Sequence, residues 1–372
     1  MQEDTVNKMY TQRVVVAFIL LVLFGSMIFE SCQSVAASIV IHDLKLELMG
    51  SSTSISSQYQ NVTYEGELFV SNNETFAIQN SEFYMIGNIT VQDTSTLVIR
   101  NSNFTAIPTS RHLESIVLED QAKLIITNAT LVSKQPDNFF SRIVVQNDAE
   151  ASITYSTFQE GWRVQAGNNS IIHVNDSTIT SGDIYHGSGI VTYGTSSIII
   201  ENSTIDGAYV WKYSTVSIKN SIVGLVRAGD MTDVNIADSE IGAIETWGGL
   251  SWEEYSPTFV VQDSTVTWRA EFRSNSSGRF TSSSVAEVVA YGNSNIMLID
   301  SYAGSIETHD ESTVFVGWHL PLFGLITMHY TWVSIIQTIV IATIIAIIIT
   351  VLVFLYRKRA RRVQREYEYQ AR

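Results

Sequence analysis

The sequence has a single cysteine, four prolines and few basic residues, and each shortage excludes a class of protein. One cysteine cannot form a disulfide within the chain, so a disulfide-stapled secreted module is excluded. Only 22 lysines and arginines face 37 aspartates and glutamates; the formal net charge of −15 argues against a nucleic-acid partner. The prolines and the 21 glycines are too few for a fibrous or linker composition. What the 372 residues do have is 45% hydrophobic content, enough to build a core.

The first apolar run, residues 14–29, follows a cationic residue and precedes the small residues Ala36 and Ala37. This order is that of a secretory signal, so residues 1–37 are predicted to be a signal peptide cleaved after one of these alanines. The run is long for a signal and short for a membrane span, which leaves an uncleaved signal anchor as the alternative. The lone Cys32 lies before the predicted cleavage site.

The second apolar run, residues 333–355, is an unbroken stretch rich in isoleucine and valine. It is long enough to cross the hydrocarbon core of a membrane, which is about 30 Å thick. Trp332 and Tyr356 flank it, as interfacial aromatic residues do. The basic residues of segment 357–372 follow, and the positive-inside rule predicts that this tail is cytoplasmic. We therefore predict a single-pass protein of the cell membrane, with a transmembrane helix over residues 332–356 and its ectodomain outside.

A short pattern recurs through the predicted ectodomain: apolar, x, apolar, x, Asn or Asp, Ser, x, apolar. One copy runs from Ile99 to Phe104 and another from Ile218 to Val223. The serine position recurs every 18 to 27 residues, at Ser81, Ser102, Ala129, Ser156, Ser177, Ser203, Ser221, Ser239, Ser264, Ser283 and Ser301. Such short repeats of alternating apolar residues indicate short strands and tight bends. An α-solenoid would have longer repeats and a 3.6-residue period, and leucine-rich repeats a regular leucine consensus.

This repeat resembles that of the right-handed parallel β-helix proteins of the pectin-lyase-like group, over about residues 60–316. The resemblance implies an all-β fold in which each coil stacks its strands on the coil below. It implies no particular function, because the fold hosts lyases, hydrolases, adhesins and surface proteins. An anchored, cysteine-poor form rich in serine, threonine and asparagine is similar to prokaryotic cell-surface proteins, those of archaea above all.

The predicted fold is therefore an all-β, right-handed parallel β-helix ectodomain over residues 61–316, followed by one C-terminal transmembrane α-helix. Residues 38–60 are expected to cap the first coil, because open strand edges invite aggregation. Residues 317–331 are expected to cap the last coil beside the membrane. Three of the four prolines fall inside the longest repeats, which indicates that these repeats carry insertion loops.

Period-two alternation predicts which side chains point into the coil. The two apolar positions before the Asn/Asp position, such as Ile198 and Ile200, should face inward. The Asn/Asp position shares their parity, so we expect a stacked polar ladder inside the bend that satisfies turn backbone groups. A cation site is the alternative for its acids. The ladder consists of Asn80, Asn101, Asn128, Asp176, Asn202, Asn220, Asp238, Asp263 and Asp300.

Outward positions later in each coil form a feature that we call the aromatic stripe. It comprises Tyr209, Trp211, Arg227, Glu245, Trp247, Tyr291, Glu307 and His309. Aromatic faces beside charges suit stacking on sugar rings or docking a protein partner. The alternative is that the rings only stack on one another, or lie under an insertion loop.

The coil after Ser264 does not fit this register. Its apolar residues of one parity are Val266, Trp268, Ala270 and Phe272. If these four face inward, Arg269, Glu271 and Arg273 face outward instead.

No catalytic constellation emerges from the sequence, and we predict no catalytic residue, no metal and no cofactor. Glu245 and Glu307 are three coils apart on the stripe, about 14 Å, whereas glycoside cleavage needs two acids within about 9.5 Å. We therefore expect a structural or binding role at the cell surface, toward a glycan or a surface-protein partner. A polysaccharide-active lyase or hydrolase is the alternative.

Asn-x-Ser/Thr triplets suggest a glycosylated exterior. The acceptor candidates are Asn61, Asn73, Asn88, Asn103, Asn168, Asn175 and Asn275. Asn128 and Asn202 also begin such triplets, but at the inward ladder position they should be poor acceptors.

Overall fold

The structure is a computed structural model that describes residues 38–42, 53–56, 61–107, 114–134, 141–159, 161–180, 189–247, 256–320 and 324–330. By internal contacts the chain divides into two units, Met1–Ser38 and Ile39–Arg372. The predicted signal segment, residues 1–37, and the predicted transmembrane helix and tail, residues 332–372, lie outside the described residues. Within the described ranges, no helix is long and apolar enough to span a membrane.

The second unit is a parallel β-solenoid of about eleven coils, which confirms the predicted β-helix fold. Its strands form a seventeen-stranded sheet and a fourteen-stranded sheet. The larger sheet contains β1 (Ser38–His42), β3 (Asn61–Val70), β5 (Glu82–Val91), β7 (Asn103–Ala106), β8 (Glu114–Leu118), β10 (Thr130–Ser133), β11 (Ser141–Val145), β13 (Thr157–Gln159), β14 (Trp162–Ala166), β16 (Thr178–Thr180), β17 (Gly189–Thr192), β19 (Thr204–Val210), β21 (Ile222–Gly229), β23 (Glu240–Trp247), β25 (Thr265–Phe272), β27 (Ser284–Ala290) and β29 (Tyr302–Thr308). The smaller sheet contains β2 (Thr53–Ser56), β4 (Thr75–Gln79), β6 (Thr96–Arg100), β9 (Lys123–Thr127), β12 (Glu150–Thr154), β15 (Ile171–Asn175), β18 (Ser197–Glu201), β20 (Thr215–Lys219), β22 (Asp233–Ala237), β24 (Thr258–Gln262), β26 (Ser277–Thr281), β28 (Asn295–Ile299), β30 (Thr313–Leu320) and β31 (Gly324–Tyr330).

Equivalent residues of successive coils form straight rows, because neighbouring strands pair in parallel and in register. Ile198 pairs with Val216, and Val216 pairs with Val234. These three side chains are buried, as predicted for the two apolar positions before the bend. Phe83 and the equivalent residues after the bend are buried too, so rows from both sheets meet in one continuous core.

The Asn/Asp row does not face inward as predicted: all nine side chains are exposed. Each of these residues has a positive φ, between 46° and 50°. Asn and Asp tolerate this left-handed conformation better than other non-glycine residues, which explains their choice at the bend. A left-handed residue interrupts the alternation of the strand, so the parity argument fails at this position. The ladder exists on the outside, where Asn101 Nδ2 donates to Asn80 Oδ1 at 3.1 Å.

The serine position, rather than the Asn/Asp position, is buried, and its side chain connects successive coils. The Ser203 N–H donates to Oγ of Ser221, 3.1 Å away on the next coil. The Ser221 hydroxyl in turn donates to the Lys219 carbonyl at 2.7 Å. A buried backbone N–H or C=O needs a hydrogen-bond partner. The serine side chain provides that partner at the turn, a role that was expected of the Asn/Asp side chains.

The parallel stacking ends in a hairpin. β30 pairs in parallel with β28 and antiparallel with β31. The end of β30 and all of β31 lie within the predicted C-terminal cap, residues 317–331. The described parts of the predicted N-terminal cap, residues 38–60, are β1 and β2, one in each sheet.

Candidate functional site

The parallel register brings five residues of the aromatic stripe together on the outer face of the larger sheet. Tyr209 pairs with Arg227, and Arg227 pairs with Glu245, on three successive coils. Trp211 lies two residues after Tyr209, and Trp247 lies two residues after Glu245. The other three stripe residues form a second group further along the solenoid: Tyr291, Glu307 and His309.

Arg227 holds the first group together. Its Nε and Nη2 donate to Oε2 of Glu245 at 2.9 and 2.6 Å. Its guanidinium also lies 4.9 Å from the ring centroid of Trp247 and 5.8 Å from that of Tyr209, which is cation–π geometry. The Arg227 and Glu245 side chains are 22% and 28% exposed, so water and salt screen this pair less than a fully exposed one.

Tyr209 is only 5% exposed, so the expectation that it belongs to an exposed surface is wrong. It packs with Val191, Leu225 and Ala243 in a small apolar cluster that is separate from the main core. Trp211 is half-buried against the same cluster. Both rings therefore support the packing of the outer face.

Trp247 is the most accessible aromatic ring of the stripe, at 50% exposure. It meets Trp211 edge-on, with ring centroids 6.4 Å apart and an interplanar angle of 80°. The two rings reach each other across the coil between them because that coil has Gly229 at the intervening position. A Cβ on this glycine would come within 2.5 Å of Trp211 Cζ3.

The second group consists of rings that cover one another. Tyr291 and His309 are stacked with centroids 4.5 Å apart and planes 7° from parallel. Arg273 lies 5.7 Å from the Tyr291 centroid, and His309 Nε2 is 2.6 Å from Glu307 Oε1. Here the structure favours the alternative of mutual stacking, because the facing sides of the two rings are occupied by each other.

The coil after Ser264 contains a β-bulge that the parity argument missed. β25 pairs Val266 with Ile241 but Arg269 with Ala243, so it holds one residue more than β23 over this stretch. Its pairing with β27 shifts at the same place. Trp268 is consequently 64% exposed, whereas Val266, Ala270 and Phe272, which share its parity, are buried.

The backbones of successive coils approach one another closely at the bend where the bulge occurs. The two preceding coils have Gly224 and Gly242 at this bend, and a Cβ on Gly242 would come within 2.2 Å of the Gly224 carbonyl oxygen. The coil after Ser264 has no glycine at this bend and holds one extra residue there. Asp206 and Ala286 occupy the same bend on other coils without a register shift against the next coil, so the lack of glycine alone does not account for the bulge. The odd parity of this coil is the sequence signal that could have identified Trp268.

Beyond the bulge, the charged residues lie on the outer face, as the apolar parity set implied, but Glu271 is only 6% exposed, whereas the Arg269 and Arg273 side chains are 30% and 55% exposed. Arg269 Nη1 lies 3.1 Å from Glu271 Oε2, and Arg269 Nε lies 3.5 Å from Glu287 Oε2. Arg273 Nε forms a second hydrogen bond to Glu271. Glu271 pairs in register with Glu245, so two carboxylates, each bonded to arginine, lie on adjacent coils.

Two further arginines, Arg142 and Arg163, pair in register before the stripe begins. Burial lowers the pKa of Arg163, the neighbouring charge of Arg142 lowers it further, and Tyr193 and Tyr209 act in the opposite direction. Arginine nevertheless stays protonated at physiological pH. This end of the outer face therefore carries permanent positive charge.

The structure also places the candidate glycosylation sites. All seven candidates are exposed or half-buried: Asn61, Asn73, Asn88, Asn103, Asn168, Asn175 and Asn275. Asn128 and Asn202 are exposed at their left-handed bends, so the expectation that burial makes them poor acceptors is wrong. Within the described ranges, no three His, Cys, Asp or Glu side chains are grouped to hold a metal ion.

Comparison of the chain with protein-family models, with curated proteins and with solved structures finds no match.

Proposed function

We propose that this chain is a membrane-anchored cell-surface protein whose β-solenoid presents the aromatic stripe to an extracellular glycan or a surface protein. The apolar run over residues 333–355 and the basic tail after it support the anchor, and residues 1–37 support export. The repeat supports a right-handed, pectin-lyase-like form of the solenoid and a prokaryotic, archaeal-type origin. The exposed Asn-x-Ser/Thr triplets support a glycosylated exterior.

The observation that carries the binding role is Trp247, a half-exposed ring on a rigid sheet. The Arg227–Glu245 pair beside it has further N–H donors and carboxylate lone pairs for a ligand. A ring face next to donors and acceptors suits a sugar, which has an apolar C–H face and a rim of hydroxyl groups.

A glycan array probed with the full-length chain in detergent tests the binding role. Trp247→Ala should reduce binding by about tenfold or more. Tyr302→Ala is the control, because Tyr302 is also an exposed aromatic residue of the same sheet but lies off the stripe. If the wild-type chain binds no glycan, or if Trp247→Ala binds as tightly as wild type, the glycan role is contradicted.

Protease treatment of intact cells tests the membrane topology. An epitope tag after Arg372 should resist external protease, whereas the solenoid should be accessible. Cleavage of the tag on intact cells would contradict the proposed orientation.

A polysaccharide-active enzyme is the second candidate, and one observation favours it. Glu245 and Glu271 lie on adjacent coils, which are about 4.8 Å apart, close to the separation of about 5 to 5.5 Å in retaining glycosidases. Both carboxylates accept hydrogen bonds from arginine, however, whereas a general acid must hold a proton. Sugar release that disappears in both Glu245→Gln and Glu271→Gln would establish the enzyme; no release from any bound polysaccharide would exclude it for those substrates.

A further inference from the structure

Trp268 is a strongly exposed ring on the outer face of the larger sheet. It is 64% exposed. Among the described residues it takes part in no ring stack and no cation–π pair, unlike Trp247, which Arg227 covers on one side. An open indole face that the bulge holds away from the sheet is available for stacking.

The side chains next to Trp268 are charged, but their charges are paired. Arg269, the next residue, contacts Glu271 on its own coil and Glu287 on the following coil. Arg273 contacts Glu271 from the other side. Two arginines and two glutamates thus neutralise one another within this patch.

Paired charges favour an uncharged ligand. An anionic ligand would meet Glu287 at close range and a chain of net charge −15 at long range. A cationic ligand would meet Arg269 and Arg273. Each pair still has N–H donors and carboxylate lone pairs beyond those used internally, which can bond to hydroxyl groups.

We propose that Trp268, with Arg269 and Glu287, forms a subsite for a neutral sugar: the ring stacks on the sugar's C–H face, and the ion pair bonds to its hydroxyls. This inference rests on the proposed glycan-binding role and specifies its ligand class. It adds to Trp247 a second stacking contact, on a residue outside the predicted stripe. Because all of these groups lie on β25 and β27, the subsite is held by the rigid sheet.

Binding of the full-length chain to immobilised polysaccharides tests the subsite. The probes are two neutral polymers, dextran and mannan, and two anionic polymers, polygalacturonate and heparin. Trp268→Ala should weaken binding to a neutral polymer by at least about tenfold, and Trp268→Phe should retain most of the affinity because it keeps a ring. Tyr155→Ala is the matched control, because Tyr155 is equally exposed, at 64%, on a distant bend.

The affinity for the neutral polymer should change less than about twofold between low and high salt, since no net charge is neutralised on binding.

The outcomes separate this inference from the proposed function. Loss of neutral-polymer binding in Trp268→Ala but not in Tyr155→Ala supports it. Binding that Trp247→Ala abolishes and Trp268→Ala leaves intact would overturn the subsite while preserving the glycan role of the stripe. Binding to the anionic polymers alone would overturn the neutral ligand class. Failure of the wild-type chain to bind any glycan would overturn both proposals.

Discussion

Trp211 lies over Gly229, and the missing side chain of that glycine allows the indole to reach Trp247. A Cβ at Gly229 would come within 2.5 Å of Trp211 Cζ3 and 2.6 Å of its Cε3. It would also approach the Trp247 carbonyl oxygen to 3.1 Å. The position of both rings therefore depends on one glycine in the coil between them.

Gly229→Ala should displace Trp211 and separate it from Trp247. Because overpacking a fitted contact costs about 1–3 kcal/mol, we expect a loss of stability in that range. Denaturant unfolding measures the loss, and tryptophan fluorescence reports the displaced ring. Gly167→Ala is the control: Gly167 holds the equivalent position on an earlier coil, where a new Cβ would meet nothing closer than 3.9 Å. Equal losses in the two variants would show that the Trp211 contact is not responsible.

The serine row should contribute measurably to stability. Ser221→Ala removes the acceptor of the buried Ser203 N–H, and an unsatisfied buried donor costs about 1–3 kcal/mol. The midpoint of denaturant unfolding should fall accordingly. Ser217→Ala serves as the control, because Ser217 is an exposed residue of the same strand, β20. If the two variants unfold at the same denaturant concentration, the serine row does not stabilise the bend.

The row also offers a stabilising substitution. Ala129 occupies the serine position of its coil, so it offers no hydroxyl to the Ser102 N–H below it. Ala129→Ser should supply that acceptor and raise the free energy of unfolding by about 0.5–1.5 kcal/mol. A lower unfolding midpoint for this variant would contradict the arrangement.

The left-handed bend should discriminate between alanine and glycine. Asn220 has a φ of 49°, where a side chain with a Cβ costs about 1–2 kcal/mol unless it is Asn or Asp. Asn220→Ala should therefore be less stable than Asn220→Gly in thermal unfolding. Equal stabilities would show that the bend conformation does not determine the residue type.

The strand rows were predictable because burial alternates wherever the chain is extended. Ile218 and Val223 follow that rule and lie in the core. Asn220 does not, because a left-handed residue turns the chain and the count of alternating positions restarts after it. The alternation pattern therefore predicted the position of the bend correctly, but it placed the Asn/Asp residue in the interior instead of the serine.

The candidate site was less predictable because its features depend on contacts between coils. Trp268 is exposed because β25 slips against both neighbouring strands, and no count within one coil detects a slip between coils. Tyr209 is buried because Val191, Leu225 and Ala243 cover the outer face around it. The Arg227–Glu245 pair was predictable, since residues that share a row on adjacent coils must meet.

Arg227 should not be replaceable by lysine. The guanidinium donates twice to Glu245 while its plane lies against Trp247, and a single ammonium cannot keep both contacts. Arg227→Lys should therefore lower stability by about 1 kcal/mol and expose the Trp247 ring, shifting tryptophan emission to the red. Arg279→Lys provides the comparison, because Arg279 is an exposed arginine of β26, away from the stripe. We expect no change in its emission and less than about 0.5 kcal/mol in its stability. If Arg227→Lys behaved like this control, the positive charge alone would suffice at position 227.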